Sequence, residues 1–77
     1  MADFKERIVV DPEIMLGKPV IKGTRIPIYI ILDLLAAKRT FLQIIDDYPE
    51  LTEEDIKAAI EYASSVTQYQ EVKIASD

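Results

Sequence analysis

Apolar positions in this chain fall into blocks of different period, and each block predicts its own kind of element. Ile8, Val9 and Val10 are three β-branched residues in a row that stop at Asp11-Pro12, where proline biases the preceding residue toward extended backbone. Residues 7–10 therefore read as a short strand. Gly17-Lys18-Pro19 turns the chain into a second β-rich run at 19–21, and Lys22-Gly23-Thr24 closes it with a glycine free to take positive φ. The pair predicts a loose β-hairpin. Both of its strands are edges, so they call for cover by helices or by another chain.

Pro27 suits the first turn of a helix, because its missing N–H would have no intrahelical partner there. The segment 28–37 that follows is apolar on nearly every face, whereas a helix on one small core needs only a stripe. Its extra face is covered either by the chain's own hairpin and helices or by a second copy. Thr40, with Gln43 three residues on, is a capping box for a helix over 41–47 that Tyr48-Pro49 ends. Leu51-Thr52-Glu53-Glu54-Asp55 is the strongest local signal: an N-cap threonine, three carboxylates at the positive helix end, and a leucine placed as a hydrophobic staple. A helix over 53–63 is expected, with Ile56, Ala59, Ile60 and Ala63 as its buried stripe and Glu53, Lys57 and Glu61 as an i,i+4 ladder outside. Beyond Ser64 the period weakens, with Val66, Tyr69, Val72 and Ile74 as apolar points in a polar segment that fits helix extension, fraying, or a tail that orders on a partner. Residues 1–6 read as a flexible terminus with Phe4 as a docking point, residues 7–64 as a single domain, and residues 65–77 as a tail.

Composition narrows the chemistry. The 77 residues contain no Cys and no His, which removes thiol nucleophiles, imidazole bases and ordinary zinc sites. No signal-peptide start and no run long enough to span a bilayer is visible, so a cytoplasmic protein is expected. A domain of this length buries only about 60% of the surface its unfolded chain exposes, and this area argument favours a homodimer. Net charge is −5, unevenly distributed: residues 1–45 carry seven basic and five acidic groups, residues 46–77 two basic and nine acidic. The first half could meet phosphate, and the second would repel it.

Lys18, Lys22, Arg25, Lys38 and Arg39 are the candidate partner- or phosphate-binding residues, converging on one face if the hairpin folds back. Ordinary solvated charge, with Arg25 capping backbone carbonyls, is the other reading. The two later helices have helix-turn-helix spacing, but Glu53-Glu54-Asp55 at the start of the second would meet DNA phosphate with like charge. Three helices packed simply to bury Leu, Ile and Ala explain the spacing as well. Asp46, Asp47, Glu50, Glu53, Glu54 and Asp55 supply carboxylates for magnesium on paper. Helix-end charge accounts for the last three, and no nucleophile or phosphate loop accompanies them, so no catalytic residue, metal or cofactor is assigned.

The run Gly17-Lys18-Pro19-Val20-Ile21-Lys22-Gly23-Thr24-Arg25-Ile26-Pro27, then Leu34-Leu35-Ala36-Ala37 and Tyr48-Pro49-Glu50-Leu51-Thr52, closely resembles the domain of unknown function 433 family over roughly residues 7–64. The resemblance implies a homeodomain-like three-helix fold and a VapB-type antitoxin role beside a PIN-like ribonuclease toxin, with protein and operator DNA as partners. Family members commonly have glycine where this chain has Lys38, a left-handed capping position, and Phe41-Leu42 replaces a more polar opening of the next helix, leaving Leu42 exposed. The expectation is thus a mainly α, helix-turn-helix bundle with an N-terminal β-hairpin. It forms a homodimer through Ile8, Val10, Val20, Ile28, Ile31, Leu32 and Leu35 and acts as an antitoxin that neutralises the nuclease by contact. The alternatives are a DNA-binding, autoregulatory transcriptional regulator and a purely structural dimer module.

Overall fold

A computed structural model describes residues 6–69, apart from the side chain of Tyr69. The expected roles of Phe4, Val72 and Ile74 lie outside the described residues. β1 (Ile8–Val9) and β2 (Val20–Ile21) pair antiparallel with Ile8 opposite Ile21 and Val9 opposite Val20. Between them the chain makes a 3-10 turn, Met15–Gly17, in which Met15, Leu16 and Gly17 all have positive φ.

The hairpin differs from the expectation at one edge. Lys22-Gly23-Thr24 turns the chain sharply, with Gly23 at φ +82°. The Thr24 hydroxyl donates to the Ile21 carbonyl at 2.8 Å and accepts from the Ile26 N–H at 3.0 Å. The returning segment then closes the far side of β2: the Ile21 N–H donates to the Ile26 carbonyl at 3.0 Å and the Ile28 N–H to the Pro19 carbonyl at 2.9 Å. Pro27 can sit in this bridge opposite Val20 because it needs no donor there. Only the outer edge of β1 is left without a neighbouring strand among the described residues.

α1 (Ile28–Ala36) begins directly after Pro27, which occupies the N-cap rather than the first turn. It stops in a complete Schellman motif. The Lys38 N–H donates to the Leu35 carbonyl at 2.9 Å and the Arg39 N–H to the Leu34 carbonyl at 3.0 Å, with Lys38 at φ +70°. Lysine is thus accommodated at a left-handed cap, the two hydrogen bonds offsetting the cost of a Cβ there. α2 (Phe41–Asp47) carries the expected capping box, in which the Gln43 N–H donates to the Thr40 hydroxyl at 3.1 Å and the Thr40 N–H to Gln43 Oε1 at 2.9 Å.

α3 (Glu53–Tyr69) runs past Ala63, where the sequence pattern weakens. The hydroxyls that weaken the pattern are satisfied within the helix: Ser65 donates to the Tyr62 carbonyl and Thr67 to the Ala63 and Ser64 carbonyls. Its buried stripe is also rotated. Asp55, Ile56, Ala58 and Ala59 are buried, while Ile60, expected inside, is 41% exposed. The predicted Glu53–Lys57–Glu61 ladder is not formed; the ion pairs among the described residues are Arg7–Asp55 and Arg39–Asp47.

The core is where the three helices meet the hairpin: Ile21, Ile26, Ile28, Ile31, Ile44, Leu51, Ile56 and Ala59, with Ile8, Phe41, Ile45 and Tyr48 packed against it. Three residues expected at a dimer interface, Val20, Ile28 and Ile31, are therefore buried within the single chain. The hairpin and the neighbouring helices cover the inner face of α1, and the surface left to a second copy is that of Ile8, Val10, Leu32 and Leu35. No described helix is long and apolar enough to cross a membrane.

Candidate functional site

The turn after β2 and the connection from α2 to α3 lie far apart in sequence and line one open cavity of about 700 Å³. Gly23, Thr24, Arg25 and Ile26 form one wall, Tyr48 and Glu50 the other, and Ile14 contributes from the loop before β2. The turn geometry places Arg25. With the Thr24 hydroxyl held by Ile21 and Ile26, and Ile26 drawn into the core at 8% exposure, the residue between them is turned outward. The Arg25 side chain is exposed and makes no hydrogen bond or ion pair among the described residues. It caps none of their carbonyls. A planar guanidinium with five donors, at a cavity that Tyr48 and Glu50 also line, is suited to bidentate recognition of a carboxylate or phosphate.

The other basic candidates do not gather there. Lys22 precedes the same turn and is exposed, with its backbone N–H on the Arg7 carbonyl at 2.7 Å. Lys18 lies over the Tyr29 ring, its Nζ 5.0 Å from the centroid, a cation–π distance. Lys38 and Arg39 follow the opposite end of α1, about 13 Å away along a nine-residue helix at 1.5 Å per residue. The Arg39 guanidinium is paired with the Asp47 carboxylate across the α1–α2 corner. Five cations predicted on one face thus divide into a group at the start of α1 and a pair at its end.

The acidic residues also have visible duties. Asp55 accepts from the Thr52 N–H at 3.0 Å and from Arg7 Nη1 at 3.0 Å, while its own N–H donates to the Thr52 hydroxyl at 3.2 Å. Asp47 holds Arg39. Glu53 and Glu54 remain exposed at the start of α3, so the end of that helix nearest the turn presents negative charge. Among the described residues no group of three or more carboxylates is arranged to hold a metal ion.

A second depression, of about 390 Å³ and almost wholly apolar, runs between α1 and the last turns of α3, lined by Tyr29, Leu32, Tyr62, Ala63 and Val66 with Lys18 at its rim. Sequence reasoning missed both this groove and the part of Tyr48 and Glu50 in the first cavity. For the cavity a signal existed: its two walls are the Gly-Thr-Arg and Tyr-Pro-Glu runs.

Comparison with known proteins agrees with this architecture. The family model described as "Protein of unknown function (DUF433)" matches residues 8–63. The uncharacterized protein y4eO of Sinorhizobium fredii is 32% identical over 65 residues, which cover 84% of this chain and 29% of that protein. An uncharacterized protein of Archaeoglobus fulgidus is 74% identical over 23 residues, 30% of this chain and 64% of that one. The crystal structure of a DUF433 member protein from Anabaena variabilis superposes with a TM-score of 0.75 at 27% identity, covering 80% of this chain and 61% of the other. The chain thus spans less than two thirds of the length of each of these relatives. With its fold matching a solved member and the family model extending from β1 into α3, the chain belongs to the DUF433 family of proteins of unknown function.

Proposed function

We propose that this domain is the antitoxin of a toxin–antitoxin pair and neutralises a PIN-like ribonuclease by protein–protein contact. The observation that carries the reading is Arg25: an exposed guanidinium without an internal partner among the described residues, at a cavity built from the two runs most specific to the family resemblance. A PIN-like active site is acidic, and a guanidinium pairs with its carboxylates through two parallel hydrogen bonds. In this reading Lys22 widens the positive edge around Arg25. A homodimer would form along the outer edge of β1, beside which Val10 is exposed. Co-expression with the protein encoded beside it, assayed for ribonuclease activity, tests the reading. The complex should co-elute and lose ribonuclease activity, and Arg25→Ala should release the activity; an inhibitor that works equally well without Arg25 removes this contact.

The order of α2 and α3 favours a second reading, a DNA-binding regulator that represses its own operon. Here the cations at the start of α1, Lys18, Lys22 and Arg25, would contact phosphate, because Glu53 and Glu54 keep the first turn of α3 away from it. Three phosphate contacts predict a slope of about −3 for log affinity against log salt on the upstream DNA. A flat response excludes this reading.

A further inference from the structure

We propose that Leu16 of one copy of this chain seats in the groove between α1 and α3 of a second copy, reciprocally, so that the two copies form a twofold dimer. The contact uses neither Arg25 nor the edge of β1 and does not rest on the antitoxin reading. Leu16 is a fixed knob. Its side chain is 92% exposed, while the Gly17 N–H donates to the Ile14 carbonyl at 3.0 Å and the Lys18 N–H to the Met15 carbonyl at 3.1 Å, holding the backbone on either side. Met15, Leu16 and Gly17 have positive φ in succession, a costly conformation for the first two, and the result is a leucine held out in water. The same chain carries a socket. Pro19, Tyr29, Leu32, Ala63 and Val66 line a depression of about 390 Å³, with Tyr29 47% and Val66 37% exposed. The exposure of Leu16 shows that it does not fill the groove of its own chain, and its two flanking hydrogen bonds fix it outside.

Position and charge single out a second copy as the occupant. Lys18, at the groove rim, is two residues from Leu16, so knob and socket lie side by side. A twofold axis passing between them brings each knob to the other copy's socket, an isologous contact that closes at two. The loop that carries the knob also carries exposed Glu13, the groove rim carries exposed Lys18, and neither is in an ion pair among the described residues. With Leu16 seated, Glu13 of each copy meets the partner's Lys18 with opposite charge. The dimer also removes two leucines and two tyrosine faces from water, in a chain short enough to bury only about 60% of its unfolded surface alone.

Sedimentation equilibrium of the full 77-residue chain tests the contact. Expected is a monomer–dimer equilibrium that stops at two copies. Leu16→Asn should raise its dissociation constant at least about tenfold, since each dimer loses two knobs, and leave the circular dichroism spectrum unchanged. Glu13→Lys and Lys18→Glu should each weaken the dimer, and the two together in one chain should restore it. In a mixed sample of differently labelled copies, nuclear Overhauser contacts should run from the Leu16 methyl groups of one copy to the Tyr29 ring of the other. A chain that stays monomeric at about 1 mM would overturn the proposal. So would growth beyond two copies, or a dimer that tolerates Leu16→Asn and is broken by Val10→Lys, which would place the second copy on the β1 edge.

Discussion

Arg7 Nη1 lies 3.0 Å from Asp55 Oδ1, joining the residue before β1 to the first turn of α3 across 48 positions of sequence. Asp55 is also the reciprocal partner of Thr52 in the α3 cap, so one carboxylate serves helix initiation and the attachment of the hairpin. The two ends of the ion pair should therefore respond unequally to mutation. Arg7 is nearly half exposed, and Arg7→Ala should cost under about 1 kcal/mol in urea unfolding. Asp55→Ala removes a cap as well and leaves Arg7 unpaired; the expected cost is about 1–3 kcal/mol. Equal losses would mean that the cap contributes nothing beyond the pair.

Lys38 holds a left-handed conformation that a glycine adopts freely. Lys38→Gly should therefore stabilise the protein by about 1 kcal/mol, read as a higher denaturation midpoint at unchanged slope. A loss of stability would show that the lysine side chain makes a compensating contact.

Leu16 sits at φ +58° with 92% of its surface in water, between two further residues of positive φ. Nothing in the packing of the chain explains a leucine there. Asparagine tolerates this backbone region better, and Leu16→Asn should leave stability unchanged or raise it by up to about 1 kcal/mol. If the same variant weakens partner binding, the leucine is an anchor for that partner.

The rotation of α3 can be tested at two neighbouring positions. Ile60→Lys should stay within about 0.5 kcal/mol of the parent because its side chain stands at the margin of the helix's buried side. Ile56→Ala, by contrast, empties a fully buried site and should cost about 2–5 kcal/mol by thermal or chemical unfolding. The stripe as the sequence predicts it would make both substitutions expensive.

Arg25→Ala separates function from folding. The side chain is exposed and makes no hydrogen bond or ion pair among the described residues, so circular dichroism and the unfolding midpoint should match the parent while partner binding falls. Arg25→Lys keeps the charge but not the bidentate fork, and intermediate binding would identify the fork as the recognition element.

Elements governed by neighbours in sequence were legible in the sequence. The Thr40–Gln43 box, the Thr52 cap and the stop at Tyr48-Pro49 all depend on groups within a few residues of one another, and each forms as the pattern predicts. The mainly helical bundle with its N-terminal hairpin followed from the same local signals. Contacts closed over long loops were not legible, because many partners compete for each group and the winner depends on how the elements pack. Tertiary structure alone decided that Arg7 would find Asp55, and that the strand after the 3-10 turn would have its second edge closed by Pro27. Packing also set the rotation of α3 that leaves Ile60 at its margin and brought the Gly23-Thr24-Arg25 turn against Tyr48 and Glu50. The sequence determined which charged residues the chain could use; packing determined that Arg25 stands at the cavity without a polar partner among the described residues while Arg39 is held by Asp47.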